Sequence, residues 1–278
     1  MKKFSVLCSV LGLLSLSSCG LNIYGLNNNL IFDCIQKNSE TQTVDVKNIE
    51  KINIDIIVGD CNVTVSDSDK AVISANCEYR AIGEEKARKA MDNTELHCEI
   101  KDHTLYVDFI DSETHEKIAD TKNSNFVNII TDVEISLPDS LNCFDVSTDV
   151  GDIDLSGLSG SFCVSNNVGD ITAENLTITG KSDFSADVGD VRCEIPELSA
   201  TELEFNNNVG DVDLSLGTVG ESKINIKAGV GDIKLDTNGK SYEEKYSEKD
   251  TVKQEKKITV DGKCNIGMKT DVGDIKIR

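Results

Sequence analysis

The chain has 278 residues, and its 28 Lys and Arg residues against 49 Asp and Glu residues give a formal charge of −21. The 5% aromatic content, the absence of Trp and the two Pro residues are not the composition of a helical bundle. So acidic a chain repels nucleic acid phosphates and anionic lipid headgroups, and no local basic patch offsets the charge, so we expect no nucleic acid partner. Length and composition together indicate an acidic, β-rich protein of one or two domains outside the cytoplasm.

Residues 1–18 are predicted to be a lipoprotein signal peptide. Two lysines precede an apolar run over residues 4–16, which is long enough for a signal core but too short to span a bilayer as a helix. The next residues, Leu-Ser-Ser-Cys-Gly at 16–20, resemble the lipobox of bacterial lipoproteins, in which the cysteine is acylated and becomes the mature N-terminus. The resemblance implies lipidation at Cys19. The alternative is an ordinary secretory peptide whose cysteine is incidental.

Loss of residues 1–18 would remove two lysines, leaving 26 basic against 49 acidic residues and a charge of −23. No later stretch approaches the roughly 20 apolar residues of a membrane helix, so we expect the lipid on Cys19 to be the only membrane anchor. Residues 19–43 contain three consecutive asparagines at 27–29 and a polar stretch at 37–43, and they are predicted to be a lipidated tether. The alternative is that part of this segment packs as an N-terminal strand.

The tripeptide Val-Gly-Asp occurs seven times. Counted from Val150, its intervals are 18, 20, 21, 21 and 42 residues, the last being twice 21. Fixed periods near 20 residues are typical of stacked solenoid coils. The glycines and aspartates of the repeat are Gly59 and Asp60, Gly151 and Asp152, Gly169 and Asp170, Gly189 and Asp190, Gly210 and Asp211, Gly231 and Asp232, and Gly273 and Asp274.

Apolar residues alternate with period two on both sides of each tripeptide, as Leu203 and Phe205 do before Val209 and as Val212 and Leu214 do after it. This pattern predicts a strand, a Gly-Asp corner and a second strand, with one face of each strand in a shared core. Glycine permits a positive φ or a close backbone approach, and aspartate can bond turn amides. We therefore predict an all-β, single-stranded parallel β-helix, or β-solenoid, with coils of 18–21 residues. Parallel crossovers favour right-handed coiling.

Two regions follow from these patterns. Residues 141–278 are predicted to form the solenoid, with a polar insertion at 239–257 that we interpret as a surface loop or a short helical excursion. The column is expected to resume at Ile258 and to close at Arg278. Residues 44–140 hold the first repeat copy and an antiparallel β cap. Within the cap, residues 71–75, 96–100, 104–110 and 128–137 alternate like strands, and residues 83–93 have a helical composition.

Stacked corner aspartates would form a ladder of carboxylates about 4.8 Å apart, where two charges repel by roughly 1 kcal/mol in water. Turn amides and solvent are the first expected source of relief. The alternative is calcium, which prefers six to eight oxygen ligands. Against calcium, the turns lack the glycine-rich nonapeptide of metal-binding β-rolls. The calcium candidates are Asp152, Asp170, Asp190, Asp211 and Asp232.

Eight cysteine thiols would remain after signal removal and acylation: Cys34, Cys61, Cys77, Cys98, Cys143, Cys163, Cys193 and Cys264. An even number permits disulfides, but eight cysteines allow 105 pairings. The repeat frame places Cys61 and Cys193 on inward positions, where cysteine acts as a small hydrophobe. Cys77 and Cys98 are the pair favoured for a disulfide, on the expectation that their strands are neighbours.

No residue pattern indicates catalysis or a cofactor. The histidines at 97, 103 and 115 lack any recognised zinc-ligand spacing, and no hydrolase, metalloprotease or phosphate-loop motif occurs. A pair of carboxylates acting on a polysaccharide stays a remote alternative, although coils of this length leave little room for a cleft.

The residues do resemble a known family. The sequence Val-Glu-Ile-Ser-Leu-Pro at 133–138, the stretch 144–152, the Gly-Asp-Ile units and the terminal Gly-Asp-Ile-Lys-Ile are similar to the bacterial putative-adhesin β-strand-repeat family, or toastrack domain, over about residues 44–278. The resemblance implies a β-helix-like fold, no established enzymatic activity and a surface or envelope role, with no functional residues to carry over. Some relatives are associated with envelope-stress signalling.

We therefore expect a non-enzymatic, adhesin-like lipoprotein on the bacterial cell surface, with a surface protein or a glycan as its partner. The alternative is a sensor of envelope stress or of antimicrobial peptides, because an edge of aspartates attracts cationic peptides.

Overall fold

The structure is a computed structural model that describes residues 16–18, 32–118, 127–218, 222–235, 243–246, 254–259 and 264–278. Cys19, most of the predicted signal peptide and the first part of the predicted tether lie outside these ranges. The described part of the chain contains 23 strands and one helix, α1 (Glu84–Asn93). The strands are β1 (Leu16–Ser18), β2 (Cys34–Asp45), β3 (Lys51–Val58), β4 (Cys61–Ser66), β5 (Lys70–Ala81), β6 (Thr94–Lys101), β7 (Thr104–Asp111), β8 (Val127–Pro138), β9 (Cys143–Val150), β10 (Ile153–Ser156), β11 (Ser159–Val168), β12 (Ile171–Glu174), β13 (Thr177–Ile178), β14 (Ser182–Val188), β15 (Val191–Leu198), β16 (Glu202–Val209), β17 (Val212–Thr218), β18 (Ser222–Val230), β19 (Ile233–Leu235), β20 (Glu243–Tyr246), β21 (Gln254–Thr259), β22 (Cys264–Val272) and β23 (Ile275–Ile277).

Each coil of the column consists of one strand, a Gly-Asp corner and a second strand in another sheet. The strands after the corner belong to sheet A, whose order is β1-β2-β5-β8-β4-β10-β12-β15-β17-β23-β19. The strands before the corner belong to sheet B, whose order is β6-β7-β3-β9-β11-β14-β16-β22-β18-β21-β20. In the order given for sheet A, every pairing from β8 to β19 is parallel. In the order given for sheet B, every pairing from β7 to β18 is parallel. The predicted all-β solenoid is confirmed.

The core fills the space between the two sheets, where the inward residues of successive coils stack. Phe144, Phe162, Phe184 and Phe205 form a continuous column of rings, with centroids 4.9, 6.0 and 5.4 Å apart along it. All four rings are buried. Burial of each apolar side chain contributes roughly 1.5–3 kcal/mol, and the stack joins neighbouring coils because no single coil can bury its inner face alone.

The N-terminal cap is antiparallel, as expected. Strands β2, β5 and β8 pair antiparallel in sheet A, and β6 and β7 form a hairpin in sheet B. The strands predicted at 71–75, 96–100, 104–110 and 128–137 lie within β5, β6, β7 and β8. The helix also forms where it was predicted. Its first turn carries Glu84 and Glu85, which complement the helix dipole, and Ala87 is buried against the sheet.

Part of the predicted tether is a strand. Residues 34–43 belong to β2, which pairs with β5 along its whole length. Val44 and Gln36 are buried there. Without β2, β5 would expose an unpaired strand edge, which folded proteins avoid. The alternative of an N-terminal strand therefore describes residues 34–43, and the prediction that these residues belong to a tether is wrong.

The last two coils are not stacked in chain order. Strand β22 lies between β16 and β18, and β23 lies between β17 and β19. The coil that ends the chain is therefore inserted between the two coils that precede it. The prediction that the column closes at Arg278 is wrong, because the coil of β18 and β19 lies outermost.

The segment predicted at 239–257 does interrupt the coils, but its described residues form strands and not the predicted loop or helix. Strands β20 and β21 pair antiparallel with each other, and β21 also pairs antiparallel with β18. The hairpin thereby covers the outer edge of sheet B, which would otherwise stay open for pairing with another chain.

Candidate functional site

The seven Val-Gly-Asp corners form one continuous edge of the column. The copy at Gly59, separated in sequence from the others, joins this edge because its amide donates to the Val150 carbonyl at 2.8 Å. The same bond repeats at five further corner glycines, each donating to the valine of the next coil at 2.8–2.9 Å, and the outermost corner, Gly231, has no further coil beyond it. The order of the valines along the edge is Val58, Val150, Val168, Val188, Val209, Val272 and Val230.

Glycine is required at the corner for two reasons. All seven corner glycines have φ between +138° and +150°, a region that other residues rarely adopt. A Cβ atom at any of them would lie 1.9–2.3 Å from a backbone carbonyl oxygen of the neighbouring coil. The coils can therefore stack at normal strand spacing only if no side chain projects at this point.

The corner aspartates form a hydrogen-bonded ladder, which we call the corner row. The Oδ1 atom of each aspartate accepts the backbone amide of the corner aspartate in the next coil, at 2.7–2.9 Å. Asp132 on β8 begins the row by accepting the Asp60 amide at 3.1 Å. The amide of Asp232, with help from Lys234, lowers the pKa of Asp274. These hydrogen bonds match the expectation that turn amides relieve the repulsion between the stacked carboxylates.

Cations lie beside only part of the corner row. Arg192 contacts both Asp170, at 3.1 Å, and Asp190, and Lys234 contacts Asp274 at 3.2 Å. Within the described ranges, the corner row members Asp60, Asp152 and Asp211 form no ion pair.

No group of three or more His, Cys, Asp or Glu side chains is arranged to hold a metal ion in the part of the chain that the structure describes. The calcium candidates lie one per coil, and the Oδ1 atom of Asp152, Asp170, Asp190 and Asp211 already accepts an amide. A calcium site at these residues stays a prediction.

A second row of polar side chains, the outer row, lies one residue before five of the seven valines; Ile57 and Gly229 precede the other two. Along the column it reads Asp149, Asn167, Asp187, Asn208 and Asp271. The two asparagine amides donate to the aspartates before them at 2.8 Å. The strict Asp-Asn alternation exists only in the observed coil order. It doubles the charge spacing from about 4.8 to about 9.6 Å, which halves the Coulomb repulsion.

An exposed apolar strip lies between the two rows. Six of the seven corner valines are 45–51% exposed, and Val58 is half-buried. Their stacking in register makes a line of isopropyl groups, which we call the valine ridge. The sequence analysis missed this feature, because period-two alternation assigns the valine to the inward face. The signal was the tripeptide itself, since the corner turns its valine outward.

The cysteines contribute packing. None of the eight cysteines in the described ranges is joined in a disulfide. Cys61 and Cys193 are buried, as predicted, and burial raises the pKa of Cys61 to about 12. The favoured disulfide between Cys77 and Cys98 is wrong. Cys77 lies on β5, which pairs with β2 and β8 in sheet A, whereas Cys98 lies on β6, which pairs with β7 in sheet B.

Two of the three histidines form polar contacts within the N-terminal region. His97 Nδ1 contacts Asp108 at 2.8 Å, and His103 Nδ1 lies 2.8 Å from the Asn48 carbonyl oxygen. His115 is exposed in a turn.

A half-open cleft of about 450 Å³ lies between α1, the end of β3 and the start of β8. Lys117 spans it, with its ammonium 2.8 Å from Asp55 and 3.2 Å from Asp108. Asp55 and Asp108 thus form ion pairs with the same cation.

In the described ranges, no helix is long and apolar enough to cross a membrane.

The fold and the stacked corners define a parallel β-solenoid built from Val-Gly-Asp corner repeats. The sequence profile of the family described as Toastrack DUF4097 matches residues 46–216, which is more than half of the chain. The protein belongs to this family, and the resemblance noted from its sequence is confirmed.

The chain is also similar to several solved structures of bacterial proteins. A putative cell adhesion protein from Clostridium sporogenes is 13% identical, with 87% of this chain and 98% of that chain covered and a TM-score of 0.35. A putative adhesin from Bacteroides fragilis is 16% identical, with 86% and 97% covered and a TM-score of 0.34. One from Parabacteroides merdae is 12% identical, with 86% and 96% covered and a TM-score of 0.29. No curated protein matches the sequence.

Proposed function

We propose that the protein is a non-enzymatic, adhesin-like lipoprotein of the bacterial cell surface, which presents the edge of its solenoid to a surface protein or a glycan. The observation that carries the proposal is the continuous edge itself. Seven corners repeat the same groups in register, and each is held by a carboxylate-amide bond to its neighbour. Such an array is fixed before binding, which limits the ordering cost of association.

The absence of an enzymatic role is part of the proposal. Described coils connect their strands through short corners, as between Val188 and Val191, which leaves a smooth column without long loops along the edge. Catalysis on a polysaccharide would need two carboxylates facing a shared cleft. In the cap cleft, Asp55 and Asp108 instead share the Lys117 ammonium. Hydrolysis of any member of a glycan panel by the purified protein would contradict this part of the proposal.

The cell-surface location is tested through Cys19. In the producing bacterium, we expect radiolabelled palmitate to be incorporated into the wild-type protein and not into a Cys19→Ala variant. Protease added to intact cells should digest the wild-type protein, whereas the variant should leave the membrane fraction. Lipid label on the variant, or protection of the wild-type protein inside intact cells, would contradict the proposed anchor and location.

Binding to a surface partner is tested separately by crosslinking on intact cells. A protein or glycan captured by the wild-type chain, and lost when the corner aspartates Asp60, Asp152 and Asp211 are replaced by Asn, supports the edge as the binding surface. Capture that is unchanged by these replacements points away from the edge.

A second candidate function is the sensing of cationic peptides. The observation that favours it is the exposed, unneutralised part of the corner row at Asp60, Asp152 and Asp211. Attraction between exposed charges is screened within about 8 Å at physiological ionic strength. A steep loss of peptide affinity with added salt would support the sensor, and salt-insensitive binding of a surface ligand would support the adhesin-like function.

A further inference from the structure

The valine ridge is unusual because its composition is constant where packing demands are weakest. All seven corners carry valine, although six of these side chains are about half exposed. Two residues earlier, at a position whose side chains are buried, the copies differ: Ile56, Thr148, Asn166, Ala186, Asn207, Ala228 and Thr270. The ridge therefore varies less than the core beside it.

Backbone conformation alone does not require valine at the ridge. Threonine has the same β-branched shape and the same preference for extended backbone. It would satisfy the strand while presenting a hydroxyl to water. In the described part of the chain, the ridge valines account for six of the eight exposed large hydrophobic residues, and Val65 and Ile82 are the other two. The constant choice of an apolar side chain indicates a surface that contacts an apolar partner.

The charges on both sides of the valine ridge determine which charges a complementary partner carries. The outer row places Asp149, Asp187 and Asp271 on the sheet B side, where Lys269 pairs with Asp271 at 3.0 Å, and the corner row lies on the sheet A side. A second copy of this chain would bring the same acidic rows face to face and would be repelled. The complementary partner has an apolar line between two cationic flanks.

The spacing of the ridge selects the secondary structure of that partner. Successive valines are about 4.8 Å apart along the column. Side chains on one face of a β-strand repeat every 6.6 Å or so, and the two patterns would lose register within about three coils. An α-helix presents a residue to one side at each turn of about 5.4 Å, which departs from the ridge by only about 0.6 Å per coil. Six steps span about 29 Å, the length of a helix of about 19 residues.

We propose that the valine ridge binds a cationic amphipathic helix, whose apolar stripe lies on the valines and whose lysine or arginine side chains contact the two acidic rows. This inference rests on the proposed function, in which the solenoid edge is the binding surface. It adds the chemistry and the shape of the partner.

The probe is a fluorescent 19-residue peptide of Leu and Lys, with Leu at every third or fourth position so that one helix face is apolar. Its control has the same composition in scrambled order. The full-length lipoprotein is reconstituted in nanodiscs of phosphatidylcholine, which carry no net charge, and empty nanodiscs give the background. Binding is followed by fluorescence anisotropy, and helix formation in the peptide by circular dichroism.

We expect saturable binding of the ordered peptide at one peptide per protein, with a gain in helix content. The variant Val168→Thr, Val188→Thr, Val209→Thr should weaken binding at least tenfold, because three apolar contacts are lost while the strand geometry is kept. The matched control Val65→Thr, Ile82→Thr removes two exposed apolar residues away from the ridge and should leave the affinity unchanged. Equal affinity of the triple variant and the wild-type protein would overturn the inference, and so would equal affinity of the ordered and scrambled peptides.

A second variant keeps the inference testable if the triple variant does not fold. Asp149→Asn, Asp187→Asn, Asp271→Asn places in each coil the residue that Asn167 and Asn208 already supply in theirs. We expect it to fold, to weaken binding several-fold and to reduce the salt dependence; unchanged affinity would count against the inference. Failure of the peptide experiment leaves the Cys19 labelling and the crosslinking experiment unaffected, so the two proposals fail separately.

Discussion

Replacing a corner glycine by alanine tests the coil-stacking geometry directly. Gly189 has φ +148°, and a Cβ there would lie 1.9 Å from the Gly169 carbonyl oxygen, against 3.4 Å or more in ordinary contact. The obstructing atom belongs to the backbone, so no side-chain rotation can relieve the overlap. The two coils must move apart or the corner must unfold.

The cost of Gly189→Ala can be worked out from the bonds that join these two coils. Separation would lengthen the Gly169 N–Val188 O and Ile171 N–Asp190 O bonds, both 2.9 Å, and the 2.8 Å bond from the Asp190 amide to Asp170. Three hydrogen bonds at about 1 kcal/mol each add to a backbone strain of about 1–3 kcal/mol. We expect the free energy of unfolding to fall by roughly 4–6 kcal/mol.

The matched control is Gly83→Ala. Gly83 also has a positive φ, +93°, but a Cβ there meets no atom within 4 Å. Its variant should therefore show only the strain, about 1–3 kcal/mol. Urea unfolding followed by far-ultraviolet circular dichroism measures both variants, since the chain has no Trp. If the two variants agree within about 1 kcal/mol, the close approach of the coils does not require glycine and the reasoning is refuted.

Three further predictions concern the core, the pH dependence and the solution conditions. Phe184→Ala removes a buried ring that stacks on two others at 6.0 and 5.4 Å, and we expect urea unfolding to show a loss of about 4 kcal/mol, with a loss below 1 kcal/mol refuting the role of the stack. Burial raises the pKa values of Asp154 and Asp183, so the folded state binds more protons than the unfolded state, and the melting temperature should rise as the pH is lowered from neutral toward about pH 4, the ordinary range of aspartate. Below about pH 4 the trend should reverse as Asp274, whose pKa is lowered by an amide of the adjacent coil, takes up its proton; a steady fall from pH 7.5 downward would contradict this assignment. Calcium and reductant should each leave the melting temperature unchanged, because the corner carboxylates accept amides and the cysteines in the described ranges form no disulfide. A rise with calcium concentration would instead establish a metal site by mass action.

Local sequence patterns predicted most of the individual elements. Period-two alternation located the cap strands and the inward face of each coil, because a strand that buries one face must alternate. It placed Cys61 and Cys193 in the core, where the structure has them. The same rule failed for the ridge at Val150, which it assigned inward, because the corner interrupts the alternation and turns the valine out.

Contacts between segments that are distant in the sequence were harder to predict. Cys77 and Cys98 both lie on strands of the cap, and nothing in either strand's pattern states which sheet it joins. Sheet membership depends on the path of the chain between them, including α1. The part of the candidate site that a sequence can supply is therefore the repeated corner, and the rows and ridge on either side of it appear only once the coils are stacked.

The sequence by itself determined that the chain forms parallel coils with Gly-Asp corners, since six of the seven copies of the tripeptide recur at intervals of 18–21 residues or twice 21. Only the tertiary structure decided the order of those coils. Every corner offers its neighbour the same amide, carbonyl and carboxylate, so local pairing does not distinguish one order from another. The alternative coil orders differ in which side chains of separate coils lie next to each other. Inserting the coil of Asp271 next to that of Asn208 completes the alternation of charged and neutral groups along the outer row, which chain order would have broken with Gly229.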